Sequence, residues 1–457
     1  MATFPTLLAH PEVGPDVGHG HVARVYALVE AWVRRGGTAV VWCQGVPVPW
    51  TDRFESVGVD VVPRCPESNF DWAVLDGYTI SDHDRDAASD RGRHVLVIDD
   101  HQLTGATHVD LVIDQNAGAV TGGYDAEQVL AGPRYALIRA EFVEARRDER
   151  VAMPVARVAM LGGGAPSGVV RALLDAARID IVASGLDIVT IDNQRKVAAS
   201  LASASVALTP AGSAALELCC LGIPQVVFSV ADNQRIGGRA LDESGVAVDL
   251  GPIAGLTAKR AVAAVLDLAR DHDRRSTMSA RAKELVDGRG ADRVIVAMRS
   301  ALVHLRPATI DDARRLFDWR NEAETRRWSL SGAGVEWGDH IAWFQQRLTD
   351  QDTFLFIVEE QSRPLGQLRF DASSDGEAEV SIGLAPAARG HGLAAPVIDA
   401  GTRRLFATTS VRRVVARVKR GNDASIASFV NADFDLDASR STDNLLLYSR
   451  THDDRRI

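Results

Sequence analysis

From Thr6 to about Ser300 the chain alternates short apolar runs rich in β-branched residues with longer segments whose apolar positions recur every three or four residues. Runs of the first kind can be buried on both faces of a parallel sheet, and segments of the second kind form helices with one apolar side. Their alternation predicts an α/β chain with doubly wound parallel sheets. The predicted strands are residues 38–44, 72–76, 94–100, 111–115, 155–161, 206–209 and 225–230. The first helix is expected from about His21, because Val22, Val25, Leu28, Val29, Trp32 and Val33 share one face, and it stops at Gly36-Gly37.

Beyond about Leu302 the pattern changes. Residues 353–386 hold three stretches of alternating apolar and polar residues joined by short turn-rich segments, which is the signature of an antiparallel meander. The charged stretch 144–154 reads as a link between two Rossmann-like subdomains, 1–150 and 151–302, with ligands bound at the carboxyl ends of their strands. A third, α+β domain, 303–457, follows with almost no linker. No internal repeat or low-complexity segment interrupts this order.

Length and charge narrow the picture. A chain of 457 residues is too long for one core, and its 46% hydrophobic and 25% charged residues are ordinary for folded protein. A net charge of −10 without clustered Lys and Arg argues against nucleic acid as the main partner and favours a small ligand. Cys43, Cys65, Cys219 and Cys220 lack metal-ligand spacing, and the adjacent pair sits in an apolar helical run. A reducing, cytoplasmic setting is expected. The N-terminal residues have no basic and apolar leader pattern, and no apolar stretch reaches about 18 residues, so neither export nor membrane spanning is expected.

Two stretches carry candidate chemistry. In the first, Gly18 and Gly20 let the backbone approach a ligand, and the helix that follows presents free N–H groups and the positive end of its dipole. His21 at its mouth has an imidazole suited to activating water, although a glycine-rich turn with a polar cap is also generic architecture. Further on, Gly212 and Ser213 open another helix and can hold a diphosphate, Glu217 can accept hydrogen bonds from ribose hydroxyls, and Asn233-Gln234 follow the next strand. Taken singly, Ser213 is equally a helix cap, Glu217 a favourable first-turn charge and Asn233-Gln234 loop residues.

The ordered segments GHGHVAR (18–24), VLDGY (74–78), VIDDH (97–101), DQNAG (114–118), AGPRYALIRAEF (131–142), LGGGAP (161–166), PAGSAALEL (210–218) and ADNQR (231–235) resemble the nucleotide-sugar hydrolases of pseudaminic acid biosynthesis. Those enzymes have a GT-B-like fold, similar to two-domain glycosyltransferases. The resemblance implies release of UDP from UDP-2,4-diacetamido-2,4,6-trideoxy-β-L-altropyranose by water, with no metal required. It implies His21 as the catalytic base, Tyr78 and Asn233 near the sugar, and Gly212, Ser213, Glu217 and Gln234 on the nucleotide side. One departure is that His10-Pro11-Glu12 stands where the family often carries an arginine.

The second stretch, Arg389-Gly390-His391-Gly392-Leu393-Ala394, lies between a strand and a helix, where successive amides can wrap a pyrophosphate. With Asn422 and Ser425 at the turn after the next strand, it resembles the acetyl-CoA site of the GNAT acetyltransferases. Residues 317–328 and 339–346 are similar to the branch that N-acetylates the 4-amino group of a UDP-sugar, which implies Trp319, Arg320, Asn321 and His340 as substrate contacts. Glu379 is a candidate acceptor of the amine proton, or a solvated strand residue, and residues 381–384 can supply an oxyanion-stabilising amide. The chain departs from the GNAT pattern at Phe429, where a tyrosine acid is usual, and at Asp433, where a glycine precedes the phenylalanine. Two rival readings stand: a glycosyltransferase in the first two subdomains, and a C-terminal module that binds acyl-CoA without catalysis.

Overall fold

The structure is a computed structural model describing residues 4–14, 17–105, 108–146, 157–162, 168–190, 196–360 and 362–452. It divides into two compact units between Val294 and Ile295, within the helix Gly290–Ala301. Residues 295–302 thus belong with the C-terminal unit. The link 147–154, the boundary at 150/151 and Gly163–Pro166 of the LGGGAP segment lie outside the described residues.

The first unit holds two parallel sheets. Strands β1 (Thr6–Pro11), β2 (Thr38–Trp42), β3 (Asp60–Val62), β4 (Phe70–Asp76), β5 (Gly92–Ile98), β6 (Val109–Asp114) and β7 (Ala126–Ala131) lie in the order β3-β2-β1-β4-β5-β6-β7. Strands β8 (Arg157–Met160), β9 (Asp187–Ile188), β10 (Val206–Pro210), β11 (Gln225–Ser229) and β12 (Ala247–Pro252) lie in the order β12-β11-β10-β8-β9. Both are doubly wound, with the switch of direction at β1/β4 and β10/β8, where such folds bind ligands. The seven predicted strands all correspond to observed ones, with ends displaced by a residue or two.

The local reasons are plain in the first helix, Gly20–Arg34. Val22, Val25, Leu28, Val29 and Trp32 are essentially inaccessible, each contributing roughly 1.5–3 kcal/mol of burial, while Val33 is only partly covered. In the helix Ser213–Leu221, Ala215, Leu218, Cys219 and Cys220 are fully buried. Burial pushes the Cys219 thiol up to about 12 and that of Cys220 to about 11, so both pack as small hydrophobes.

The second unit contains β13 (His304–Pro307), β14 (Thr353–Glu360), β15 (Arg363–Ala372), β16 (Glu377–Leu384), β17 (Arg413–Lys419), β18 (Asp435–Leu436) and β19 (Leu445–Thr451), in the order β13-β14-β15-β16-β17-β19-β18. The predicted meander is β14, β15 and β16. Every neighbouring pair is antiparallel except β16 and β17, which pair in parallel over Glu377–Glu379 and Arg413–Val415 alone. Past that point the two strands have no further partners in each other, and the sheet opens between them. A large core runs through this unit from Phe356, Leu368 and Phe370 to Phe406, Phe429 and Phe434, and a smaller one gathers Leu316, Phe344, Leu355 and Ile357.

Candidate functional site

At the carboxyl ends of β4 and β5 in the first unit, one buried guanidinium organises two carboxylates. Arg24, one turn after His21, donates Nε and Nη2 to Asp76 Oδ2 and Oδ1 at 3.0 and 2.6 Å, and Nη1 to Asp100 Oδ1 at 2.6 Å. His21 Nδ1 lies 2.6 Å from Asp76 Oδ1. Nδ1 also lies 2.9 Å from Arg24 Nη2, which only donates, whereas the carboxylate only accepts; the shorter contact to Asp76 favours the tautomer with the proton on Nδ1 and the lone pair on Nε2. The His21 and Tyr78 rings meet edge to face at 4.7 Å. Tyr78 donates its hydroxyl to Asp100 and accepts from Asn233 Nδ2 at 3.0 Å, which joins the two Rossmann-like halves of the unit.

Burial opposes the charge of Asp100, but Arg24 and hydrogen bonds from Tyr78 and Asn116 outweigh it and bring the carboxyl down to about 2. Burial and the neighbouring Asp100 charge push the Tyr78 phenol up, so it remains a donor. Glu12 accepts from the Tyr78 and Thr79 amides at 2.6 and 3.1 Å and from the Thr79 hydroxyl, fixing the loop after β4. Burial opposes its charge, and those bonds hold its carboxyl below the usual range. Glu12 is therefore a loop anchor.

The two glycine-led helix starts also converge. A Cβ on Gly20 would lie 3.4 Å from Ser213 Oγ, and one on Gly212 would lie 3.4 Å from Gln234 Nε2. Neither first turn has a side-chain cap or an acidic residue; Ser81, Thr257 and Asp271 cap other helices of the unit, while Val48–Ser56 and Asp232–Glu243 also start without a side-chain cap. The Gly212 amide itself donates to Pro210 O at 2.9 Å, and it is the other N–H groups of these first turns that suit an anionic ligand. Gly18 lies just ahead of the first start, and Gln234 turns its Oε1 to the Val230 amide at 3.1 Å. Glu217 has both oxygens on Arg139, at 2.7 and 2.9 Å, so a ribose would share this carboxylate with a buried arginine.

In the second unit the loop 389–394 connects β16 to the helix Ala394–Thr408. Gly390 and Gly392 have φ of +79° and +63°, a left-handed conformation that favours glycine and turns successive peptides in a tight curve. The helix has no side-chain cap and no acid in its first turn. Arg389 donates to Leu384 O at 3.1 Å, Glu322 Oε2 at 2.9 Å and Thr325 Oγ1 at 2.9 Å. Amide bonds from Glu324 and Thr325, with Arg389, bring the Glu322 carboxyl down to about 2.

The other residues expected here each have a place in the surrounding fold. Both oxygens of Glu379 accept from Arg417, at 2.9 and 2.6 Å, where the β16/β17 ladder ends. Asn422 Oδ1 caps the helix Asp423–Asn431 by accepting from Ser425 N at 3.2 Å. Asn321 exchanges two 2.8 Å bonds with the backbone of Val335. Trp319 is partly buried against the core, and Arg320 reaches Ser331 Oγ at 3.0 Å, its charge disfavoured by burial and Arg326. His340 is buried at 3% exposure, stacked on Phe344 with Nε2 2.9 Å from Ala313 O, and burial lowers its pKa. Phe429 is a core ring packed edge-on to Phe434 at 5.2 Å, and Asp433 takes φ +69°, the left-handed position where a glycine is usual. Arg24, Asp76 and Asp100 were not singled out from sequence, although each acid closes an apolar strand pattern in a quoted segment.

Among the described residues no group of three or more His, Cys, Asp or Glu is arranged to hold a metal ion, and no helix is long and apolar enough to cross a membrane. Residues 303–435 match a family described as an acetyltransferase (GNAT) domain. The C-terminal unit accordingly contains a GNAT acetyltransferase domain. No curated protein matches the chain. Solved structures similar to part of the chain include the aminoglycoside acetyltransferase AAC(6')-Ib with paromomycin and acetyl-CoA, at 18% identity over 33% of this chain and 93% of that one, TM-score 0.30. Spermidine N-acetyltransferase from Vibrio cholerae with CoA and spermine matches at 15% identity over 33% and 96%, TM-score 0.31. The ribosomal L7/L12 α-N-protein acetyltransferase RimL with CoA matches at 17% over 33% and 94%, TM-score 0.30.

Proposed function

We propose that the chain is a bifunctional nucleotide-sugar enzyme of pseudaminic acid biosynthesis. Its GNAT domain transfers acetyl from acetyl-CoA to the 4-amino group of a UDP-4-amino-4,6-dideoxy sugar. Its first unit then hydrolyses UDP-2,4-diacetamido-2,4,6-trideoxy-β-L-altropyranose to UDP and the free sugar. The observation that carries the hydrolase reading is the buried His21–Asp76 pair beside Tyr78 and Asn233, next to two uncapped helix starts.

In this mechanism Asp76 holds the His21 tautomer, and Nε2 removes a proton from water as its oxygen attacks the anomeric carbon. The C1–O bond to UDP breaks, and the departing diphosphate is stabilised by amides at Gly20 and Ser213. In the other domain the neutral amine attacks the thioester carbonyl, amides at 381–384 stabilise the oxyanion, the C–S bond breaks, and the CoA thiolate takes a proton from water. Glu379 receives the amine proton directly or through water.

Purified protein given the diacetamido UDP-sugar and no acceptor should release UDP. Negligible release without acceptor favours a glycosyltransferase instead. The phenyl ring at Phe429 favours a second reading, in which the GNAT domain binds acyl-CoA without transfer; labelled acetyl-CoA bound but never passed to the amino sugar selects it.

A further inference from the structure

Arg299 lies before residue 303, where the GNAT match begins, yet its side chain reaches into the glycine-rich loop. Nη1 donates to Gly392 O at 2.8 Å and Nη2 to His391 O at 3.0 Å, from a residue only 8% exposed. Its guanidinium is stacked at 4.3 Å on the ring of Phe4, which belongs to the same compact unit. The adjacent Ser300 Oγ lies 2.7 Å from Val296 O, one turn back in its own helix, and 3.1 Å from Pro396 O in the first turn of the helix after the loop.

The two carbonyls matter because a trans peptide points its C=O and N–H in opposite directions. With His391 O and Gly392 O drawn toward Arg299, the amides of Gly392 and Leu393 face the other way, the side open to a ligand. The loop's positive φ values permit this arrangement without selecting it. A five-donor planar cation bridging two successive carbonyls does select it.

We propose that Arg299 is a positioning residue for the pyrophosphate of acetyl-CoA: it grips the loop from behind and orients its amides before the cosubstrate arrives. The inference rests on the acetyl-CoA reading of this domain, and it extends the functional unit N-terminally beyond the GNAT match. Arg299 does not touch the substrate. It lowers the cost of ordering the loop, so its loss raises Kd and KM for acetyl-CoA while kcat at saturation stays close to that of the parent.

Full-length Arg299→Gln should bind acetyl-CoA about tenfold more weakly by calorimetry, as expected for losing charge-assisted bonds. Arg299→Lys, which keeps the charge but not the fork, should fall between the two, and it carries the test if the Gln variant does not fold. Affinity of Arg299→Lys within twofold of the parent, or a fall in kcat with KM unchanged, overturns the proposal while leaving the acetyl-CoA reading intact. A parent chain that binds no acetyl-CoA overturns both.

Discussion

The two candidate sites are built from different materials. Around His21 the working parts are side chains locked by other side chains: Arg24 fastens Asp76 and Asp100, which in turn hold His21 and Tyr78. In the GNAT domain the working parts are backbone amides, and the named side chains are mostly occupied elsewhere, Glu379 by Arg417, Asn422 by a helix cap and His340 by the aromatic cluster. A side-chain site fails when one residue changes. A backbone site fails when its curvature or anchoring changes, and it tolerates substitutions among the side chains around it.

That contrast orders the expected effects. The largest is at His21: His21→Asn should cut UDP release by about a thousandfold, within the usual range for a lost general base, with UDP binding retained in calorimetry. Next, Arg24→Met strands Asp76 and Asp100 as buried charges, and chemical unfolding of the first unit should show a loss of about 3–5 kcal/mol.

A comparable dependence on buried carboxylates is expected in both units on acidification. Asp399 in the second unit is opposed by burial, but Arg403 and Arg450 outweigh this and bring it to about 2, as Asp100 is in the first. Both carboxyls are lowered from 3.8 in the folded state, so their stabilisation is complete above that pH and is lost as pH falls toward 2. Thermal melts from pH 5 to 2 should decline in both transitions, and Asp399→Asn should flatten the decline of the second alone.

Smaller effects belong to the backbone-built site. Glu379→Gln should lower the acetyl-transfer kcat by about a hundredfold, the low end for a lost proton acceptor; a kcat within twofold of the parent would leave Glu379 as one half of its ion pair with Arg417 and nothing more. Asp433→Gly should stabilise the second unit by about 0.5–1 kcal/mol in denaturant melts, because glycine adopts φ +69° without strain.

The same contrast explains what could be read in the sequence. Strands with continuous apolar runs, such as Val206–Pro210 and Gln225–Ser229, announce themselves, as do glycine-led helix starts and the alternating meander. Strand β1 is central, but its six residues end in His10-Pro11, which break the apolar run; β7 carries Glu127 and Gln128 on a sheet edge where polar residues are tolerated. His21, Tyr78 and Asn233 were legible as motif members. The Arg24 bridge was not, because Asp76 and Asp100 come together only when β4 and β5 pair in parallel. Nor could the pattern reveal that Arg139 holds Glu217 from 78 positions away, or that His340 turns into the aromatic cluster.

The most direct measurement is mass spectrometry of the full chain incubated with acetyl-CoA and the UDP-4-amino-4,6-dideoxy sugar. The account predicts an N-acetylated sugar nucleotide as the first product, then free diacetamido sugar and UDP in equal amounts, with the second step abolished in His21→Asn. Recovery of both starting nucleotides unchanged, or acetylation with no UDP ever formed, contradicts it.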